Sequence, residues 1–212
     1  EMQRSLVGSE MCIRDRPQIT LDALGKCREK GITVSCDLNY RGKLWSRERA
    51  GEVMGRLVPY VDVLIANEED AKDVFGIEAE DTDIMGGKLN GEGYVSVARQ
   101  LTERFGCKAV AITLRGSLSA SENNWAGMLY TGGQPFFSQN YLIRLVDRVG
   151  GGDSFGGGLI HALLKGMDEQ SAIEFAVAAS CLKQTIEHDF NLASEKEVLA
   201  LVGGNASGRV QR

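Results

Sequence analysis

Short apolar runs that alternate with helical segments constrain the fold of this chain more than any other feature of its sequence. The runs at residues 32–37, 61–66 and 109–114 have the length and composition of strands, and segments with helical periodicity lie between them. Strands alternating with helices form a parallel sheet, because each helix returns the chain to the same edge. The sequence therefore predicts an α/β fold.

Start and stop signals place the helices around these strands. Pro17 opens a first helix that ends near Gly31, Ser46 caps a second, and Asp168 caps a later one that runs to Thr185. Further helices are predicted at residues 94–105, directly after the glycine run at 150–152, and at 194–202. Residues 78–93, which are rich in Asp, Glu and Gly, are predicted to form a loop.

Residues 127–147 change to the periodicity of strands. Residues 128–130 and 141–146 are predicted to pair as a hairpin at one side of the sheet, with Gly132 and Gly133 between them. The sheet is therefore expected to be parallel with an added antiparallel part.

Composition excludes several classes of protein. The 212 residues are 43% hydrophobic and 25% charged, as in a soluble globular domain. A net charge of −5 disfavours nucleic-acid binding, and no run approaches the roughly 20 apolar residues of a membrane span. The five cysteines form no CxxC pair, which favours reduced thiols and a cytoplasmic protein.

The two ends of the chain are expected to lie outside the folded domain. Residues 1–16 have no structural periodicity, and residues 6–15 resemble the translation of an adapter used in sequencing libraries. We interpret residues 1–16 as a non-native segment, residues 17–202 as the domain, and residues 203–212 as a polar tail.

Polar residues follow each predicted parallel strand. In such sheets ligands bind beyond the carboxyl ends of the strands. The residues expected to converge there are therefore 37–41, 67–70 and 115–117.

A glycine run precedes the helix that starts near residue 150. Gly150, Gly151 and Gly152 leave backbone N–H groups unobstructed at a helix N-terminus, which is suited to a phosphate or an oxyanion. Asp153 follows and can accept the proton of an attacking hydroxyl. The alternative is that the glycines allow tight packing and Asp153 only caps the helix. The segment is not a GxGxxG motif, which would need glycine at Phe155, and no Walker motif occurs.

Residues 152–156 also match GxSxG, the nucleophile elbow of α/β-hydrolases. In that alternative Ser154 is the nucleophile, Asp168 or Glu174 is the acid, and His188 is the base. The elbow does not account for three glycines before Asp153.

Several segments together resemble the PfkB, or ribokinase-like, carbohydrate kinases. Residues 147–153 (DRVGGGD) are similar to the family's D-x-x-G-A-G-D signature, and residues 67–70 (NEED) are similar to its N-x-x-E motif. Residues 37–45 (DLNYRGKLW) and 179–192 resemble stretches of 2-keto-3-deoxygluconate kinases. The resemblance implies a ribokinase-like parallel-sheet sandwich with helices on both faces. It also implies that the N-terminal strands and the lid of that fold are missing here.

The resemblance implies a role for each matching residue. Asp153 is the catalytic base, and the backbone of Gly150, Gly151 and Gly152 holds the transferring phosphate. Mg²⁺ is bound through water by Asn67 and Asp70, where aspartate replaces the usual glutamate. The remaining assignments are a monovalent cation such as K⁺ near Asp147 and an ATP-contacting turn of Thr113, Arg115, Gly116 and Ser117.

The substrate implied by the resemblance is a sugar acid, with 2-keto-3-deoxygluconate as the first candidate. Asn39, Arg41 and Asp189 are implied to bind it, and a guanidinium such as that of Arg41 suits a planar carboxylate. A fructokinase-like or ribokinase-like enzyme and an inert nucleotide-binding fragment remain alternatives. The implied partners are ATP, Mg²⁺ and the sugar acid, with a homo-oligomer as a further expectation.

Overall fold

The computed structural model describes residues 16–78, 91–119 and 121–204 of the chain. The helices are α1 Arg16–Glu29, α2 Arg47–Leu57, α3 Glu68–Phe75, α4 Gly91–Phe105, α5 Gly151–Leu164, α6 Glu169–Gln184 and α7 Glu195–Val202. The strands are β1 Ser35–Asp37, β2 Val63–Ala66, β3 Ala109–Ser117, β4 Glu122–Thr131, β5 Gln134–Phe137 and β6 Tyr141–Arg144. This alternation confirms the predicted α/β class.

The sheet combines parallel and antiparallel strands. Its order is β1-β2-β3-β4-β5, and β6 pairs with β4. Gly132 and Gly133 join β4 to β5 with φ angles of 58° and 79°, the left-handed conformation that a tight two-residue hairpin requires. The chain divides into two compact units, of which the first holds described residues 16–78, 91–112 and 130–133 and the second the remainder.

In the first unit, β1 and β3 flank the fully buried strand β2 and run parallel to it. Ser35 aligns with Val63 and Asp37 with Ile65, while Ala66 of β2 aligns with Ile112 of β3. All four residues of β2 are buried. The carboxyl ends of β1 and β2 therefore lead directly into the polar segments that follow Asp37 and Ala66.

In the second unit, α5 and α6 pack closely because small residues face each other. A Cβ placed on Gly158 of α5 would lie 3.1 Å from the Cα of Ala176 and 3.1 Å from the Cβ of Ala179, both on α6. Phe155 and Leu159 of α5 are fully buried. This contact fixes the N-terminal turn of α5 against the C-terminal half of α6, where the glycine run and the 185–191 loop meet.

Three predictions of local structure were wrong. The loop predicted for residues 78–93 contains the start of α4 at Gly91, and residues 79–90 lie outside the described residues. The hairpin partner of β4 after Gly132 and Gly133 is β5, which the predicted strands omitted, and β6 pairs farther back along β4. The expected turn at residues 113–117 is part of β3, because backbone pairing continues through these polar residues.

The predicted non-native segment at residues 1–16 and the predicted polar tail at residues 203–212 lie almost entirely outside the described residues. Residues 1–15 and 205–212 are not described, while Arg16 begins α1 and Gly203 and Gly204 follow α7. Within the described residues, no helix has both the length and the apolar character needed to cross a membrane.

Candidate active site

Gly150 must be glycine for two independent reasons. It caps the N-terminus of α5 with φ 78° and ψ 1°, a left-handed conformation that L-residues rarely adopt. A Cβ at this position would lie 2.5 Å from the carbonyl oxygen of Asp189. The turn before α5 and the loop after α6 are therefore in direct backbone contact.

Gly151 uses both of its backbone polar groups within the chain. Its N–H donates to the Arg148 carbonyl at 3.2 Å, and its own carbonyl accepts from Ser180 Oγ at 2.8 Å. A Cβ here would lie 3.2 Å from Gln184 Cγ. Gly151 thus joins the start of α5 to α6, and its N–H is already used within the chain.

Gly152 and Asp153 form the exposed part of the turn. Both are exposed, and nothing lies within 4 Å of a Cβ placed on Gly152. Among the described residues, neither backbone N–H has a hydrogen-bond acceptor, as expected for the first turn of a helix. Two N–H groups at the positive end of the helix macrodipole, in open space, can bind an anion.

Asp153 and Asp189 line one pocket of about 410 Å³ in the second unit. Gly157 and His161 continue the Asp153 face of α5 into this pocket, and His161 stacks on Phe175 with ring centroids 5.2 Å apart. The structure therefore brings together the predicted base and the predicted ligand of a substrate hydroxyl.

Asp147 connects the turn before α5 to the loop after α6. Its Oδ1 accepts the N–H of Val149 at 2.9 Å, and its Oδ2 accepts the N–H of His188 at 3.1 Å. These hydrogen bonds, that from Val149 first, hold the pKa of Asp147 below its ordinary value, and the charge of Lys183 adds to the effect. His188 adopts a left-handed φ of 66° at this contact.

In the first unit, Asn67 and Asp70 follow β2 as predicted, but both are engaged in the fold. Asn67 Oδ1 caps α3 by accepting the Asp70 N–H at 2.7 Å, and Asp70 Oδ1 accepts the Tyr40 N–H at 3.1 Å. Asp70 is only 6% exposed. Its burial, together with the nearby charge of Asp37, raises its pKa to about 6.

The described residues contain no cluster of three or more His, Cys, Asp or Glu side chains that could hold a metal directly. Whether Asn67 and Asp70 contact Mg²⁺ through water stays a prediction.

The segment after β1 presents two predicted substrate ligands on one local turn. The N–H of Asn39 donates to Asp37 Oδ1 at 3.1 Å, and Asn39 has a left-handed φ of 36°. The exposed Arg41 places Nε 3.5 Å from Asn39 Oδ1. Within the described residues Arg41 forms no ion pair.

The predicted ATP-contacting residues Thr113, Arg115, Gly116 and Ser117 lie on β3 in the second unit. Arg115 and Ser117 are exposed on one side of the strand, whereas Leu114, directly before Arg115, is buried. Gly116 lies against Asn124 of the next strand, where a Cβ would approach the Asn124 Cβ to 3.3 Å.

The structure offers the hydrolase alternative no catalytic triad. Ser154 lies inside the first turn of α5, only 9% exposed, instead of at a strand-to-helix elbow. Asp168 caps α6 through Ser171, and Glu174 accepts the N–H of Gln139. Both candidate acids therefore serve the local fold.

Three polar residues of α6 to which the sequence motifs assigned no role lie beneath the glycine turn. Ser180 and Lys183 are fully buried, and Gln184 is 3% exposed. Gln184 Nε2 contacts Ser180 Oγ at 3.3 Å, and the Gln184 carbonyl accepts the N–H of Val146 at 2.9 Å. The sequence did carry a signal that Lys183 is buried, because its helical spacing from Ala176 and Ala179 places it on the apolar face of α6.

The fold and the anion-binding turn together define a ribokinase-like α/β protein. The sequence matches the family described as "pfkB family carbohydrate kinase" over residues 4–187. The chain belongs to this family of carbohydrate kinases.

Individual relatives carry sugar-acid kinase names. The chain is 31% identical over 191 residues to the 2-dehydro-3-deoxygalactonokinase of Haloferax volcanii, covering 90% of this chain and 54% of that protein. It is 51% identical to the solved 2-dehydro-3-deoxygluconokinase of Thermotoga maritima, with a TM-score of 0.83 over 89% of this chain and 55% of that one. A carbohydrate kinase of Listeria grayi is 31% identical, with a TM-score of 0.77 over 88% of this chain and 55% of that one. The chain thus spans about half the length of these relatives.

Alanine substitutions at Gly150 and Gly152 compare the structural part of the turn with its exposed part. Gly150→Ala is expected to lower the free energy of unfolding by about 2–4 kcal/mol, because it combines a left-handed φ with a clash against Asp189. Gly152→Ala is the matched control, since its Cβ meets nothing, and its stability should stay equal or rise by up to about 1 kcal/mol. Urea denaturation measures both, and equal losses in the two variants would contradict this account.

The buried carboxyl of Asp70 predicts a pH-dependent stability. Its folded-state pKa of about 6 lies above the ordinary 3.8, so its stabilising contribution is complete below about pH 4 and lost as pH rises through 6. Relative to Asp70→Asn, the wild type should lose about 2–3 kcal/mol of unfolding free energy between pH 4 and pH 7.

Urea denaturation of both proteins across this range is the measurement. Glu103→Gln, on the exposed surface of α4, controls for the removal of one negative charge. A wild-type to Asp70→Asn difference that does not change with pH would show that burial does not raise the pKa of Asp70.

Proposed function

We propose that this chain is part of a kinase that transfers the γ-phosphoryl group of ATP to the terminal hydroxyl of a sugar acid. The observation that carries the proposal is the position of Asp153, an exposed carboxylate beside two unpaired backbone N–H groups in a pocket it shares with Asp189. Phosphoryl transfer requires mainly positioning and stabilisation of charge, which such a turn provides.

In this reaction Asp153 accepts the proton of the sugar hydroxyl, and the hydroxyl oxygen forms a bond to the γ-phosphorus. The bond from the γ-phosphorus to the bridging oxygen breaks, and ADP leaves with that electron pair. The N–H groups of Gly152 and Asp153 stabilise the charge on the transferring group. Gly150 and Gly151 hold these donors in place through the contacts with Asp189 and Ser180.

The sugar acid is proposed to be 2-dehydro-3-deoxygluconate, which is 2-keto-3-deoxygluconate. The 51% identity to a 2-dehydro-3-deoxygluconokinase supports this choice over the galactonate epimer, whose kinase is 31% identical. Arg41, exposed and without an ion pair in the described residues, would bind the carboxylate, with Asn39 beside it. Asp189 would bind a substrate hydroxyl.

The remaining assignments complete the proposal. Asn67 and Asp70 would hold Mg²⁺ through water, and the metal would neutralise charge on the ATP phosphates. Thr113, Arg115, Gly116 and Ser117 would contact the nucleotide from β3. We place the protein in the cytoplasm and expect the intact protein to be capable of forming a homo-oligomer.

Replacing the proposed base tests the reaction directly. Asp153→Asn should reduce kcat by about 10²–10⁴-fold while leaving ATP affinity within a few-fold, because the backbone donors remain. Asp168→Asn is the control, since asparagine caps a helix as well as aspartate does and Asp168 serves as the cap of α6.

A coupled assay of ADP release and a calorimetric titration with ATP measure these two quantities on the purified chain. Turnover of Asp153→Asn equal to wild type would exclude Asp153 as the base. ATP binding without turnover in the wild type would favour the inert nucleotide-binding fragment instead.

Arg41 predicts selectivity for an acid over a neutral sugar. Arg41→Ala should raise KM for 2-dehydro-3-deoxygluconate by about 10–100-fold, because a charge-assisted hydrogen bond contributes about 1.5–3 kcal/mol. KM for fructose or ribose should not change. Arg56→Ala, an exposed arginine of α2, is the control. Equal effects on acid and neutral sugars would remove the carboxylate contact from the proposal.

A further inference from the structure

Lys183 is a fully buried cation in the last turn of α6, with 0% of its surface exposed. Its Nζ donates to the carbonyl of Ile186 at 3.1 Å. In the described part of the chain, no carboxylate lies within ion-pair distance of this ammonium. A buried charge persists only where surrounding dipoles and charges compensate for lost hydration, so the surroundings of Lys183 must do so.

These surroundings are the loops that build the candidate active site. The ammonium lies at the negative C-terminal end of α6, and its charge acts on the carboxylate of Asp147. Its Cε lies 3.3 Å from the position a Cβ would take on Gly150. Lys183 therefore lies beside the glycine turn and donates a hydrogen bond to the 185–189 loop at the same time.

The surroundings of Asp147 disfavour a separate monovalent cation. Each carboxylate oxygen of Asp147 accepts one backbone N–H group, at 2.9 and 3.1 Å, so one of the two lone pairs on each oxygen is used within the chain. A buried positive charge acts on the same carboxylate, and a second cation there would be repelled by it. The residues present therefore disagree with the K⁺ site that the resemblance implied for Asp147.

We infer that the Lys183 ammonium is the built-in cation of this site and that it does the work of a bound K⁺. It is a positioning residue: it fixes the 185–189 loop through Ile186, compensates the charge of Asp147, and so holds Gly150 and the N–H groups of Gly152 and Asp153 in place. The chain therefore requires no monovalent cation to form its anion-binding turn. Its catalytic consequence rests on the proposed kinase function, but its structural consequence does not.

Thermal unfolding at equal ionic strength in KCl, NaCl and N-methyl-D-glucamine chloride tests this inference. A ligand that binds only the folded state raises Tm, so the wild type should show the same Tm in all three salts, within about 1 °C. Lys183→Ala, which removes the charge and opens space, should have a lower Tm that KCl raises selectively. Lys196→Met, an exposed lysine of α7, should behave as the wild type does.

Backbone amide NMR provides a second readout that a merely space-filling side chain would not move. In Lys183→Met, which keeps the length but not the charge, the amide signals of Gly152 and Asp153 should shift, whereas Lys183→Arg should retain positions near those of the wild type. If Lys183→Met and Lys183→Ala do not fold while Lys183→Arg does, the need for the positive charge is confirmed.

A selective, saturable rise of the wild-type Tm with K⁺ would overturn the inference. Unchanged Gly152 and Asp153 signals in Lys183→Met would overturn it as well. Neither readout depends on turnover, so failure here is distinguishable from failure of the proposed kinase reaction.

Discussion

The backbone contact between Gly150 and Asp189 is the constraint on which the rest of the candidate site depends. It brings the N-terminus of α5 and the loop after α6 so close that only a residue without a Cβ fits, 2.5 Å from the carbonyl oxygen. The close α5–α6 packing at Gly158 makes this approach possible, and Ser180 completes it through the Gly151 carbonyl. The exposed donors of Gly152 and Asp153 are a consequence of that packing.

Two buried ionisable groups show how the fold uses charge around its functional segments. Lys183 lies beneath the glycine turn, and Asp70 holds the segment after β1 through the N–H of Tyr40. Each gives up hydration, which destabilises the folded state unless nearby groups compensate for it. Their placement at the segments that carry the proposed chemistry, and not in the centre of the sheet, indicates that they position loops.

Much of the fold was predictable because its signals are local. The buried run of β2, the caps Ser46 and Asp168, and the helix after the glycines all follow from short-range patterns that the structure confirms. Local patterns failed where pairing between strands decided the outcome. The polar residues Thr113 to Ser117 looked like a turn, but hydrogen bonding to the neighbouring strand keeps them in β3.

In the candidate site, too, local sequence patterns decided some features and contacts between distant segments decided others. The sequence by itself determined the residue types: glycines before a helix, a carboxylate at Asp153, and the motif that identifies a carbohydrate kinase. Only the tertiary structure decided which of them are available, because that depends on contacts between residues distant in the chain. It assigned the N–H of Gly151 to Arg148, left those of Gly152 and Asp153 open, and buried the Lys183 ammonium against the carbonyl of Ile186.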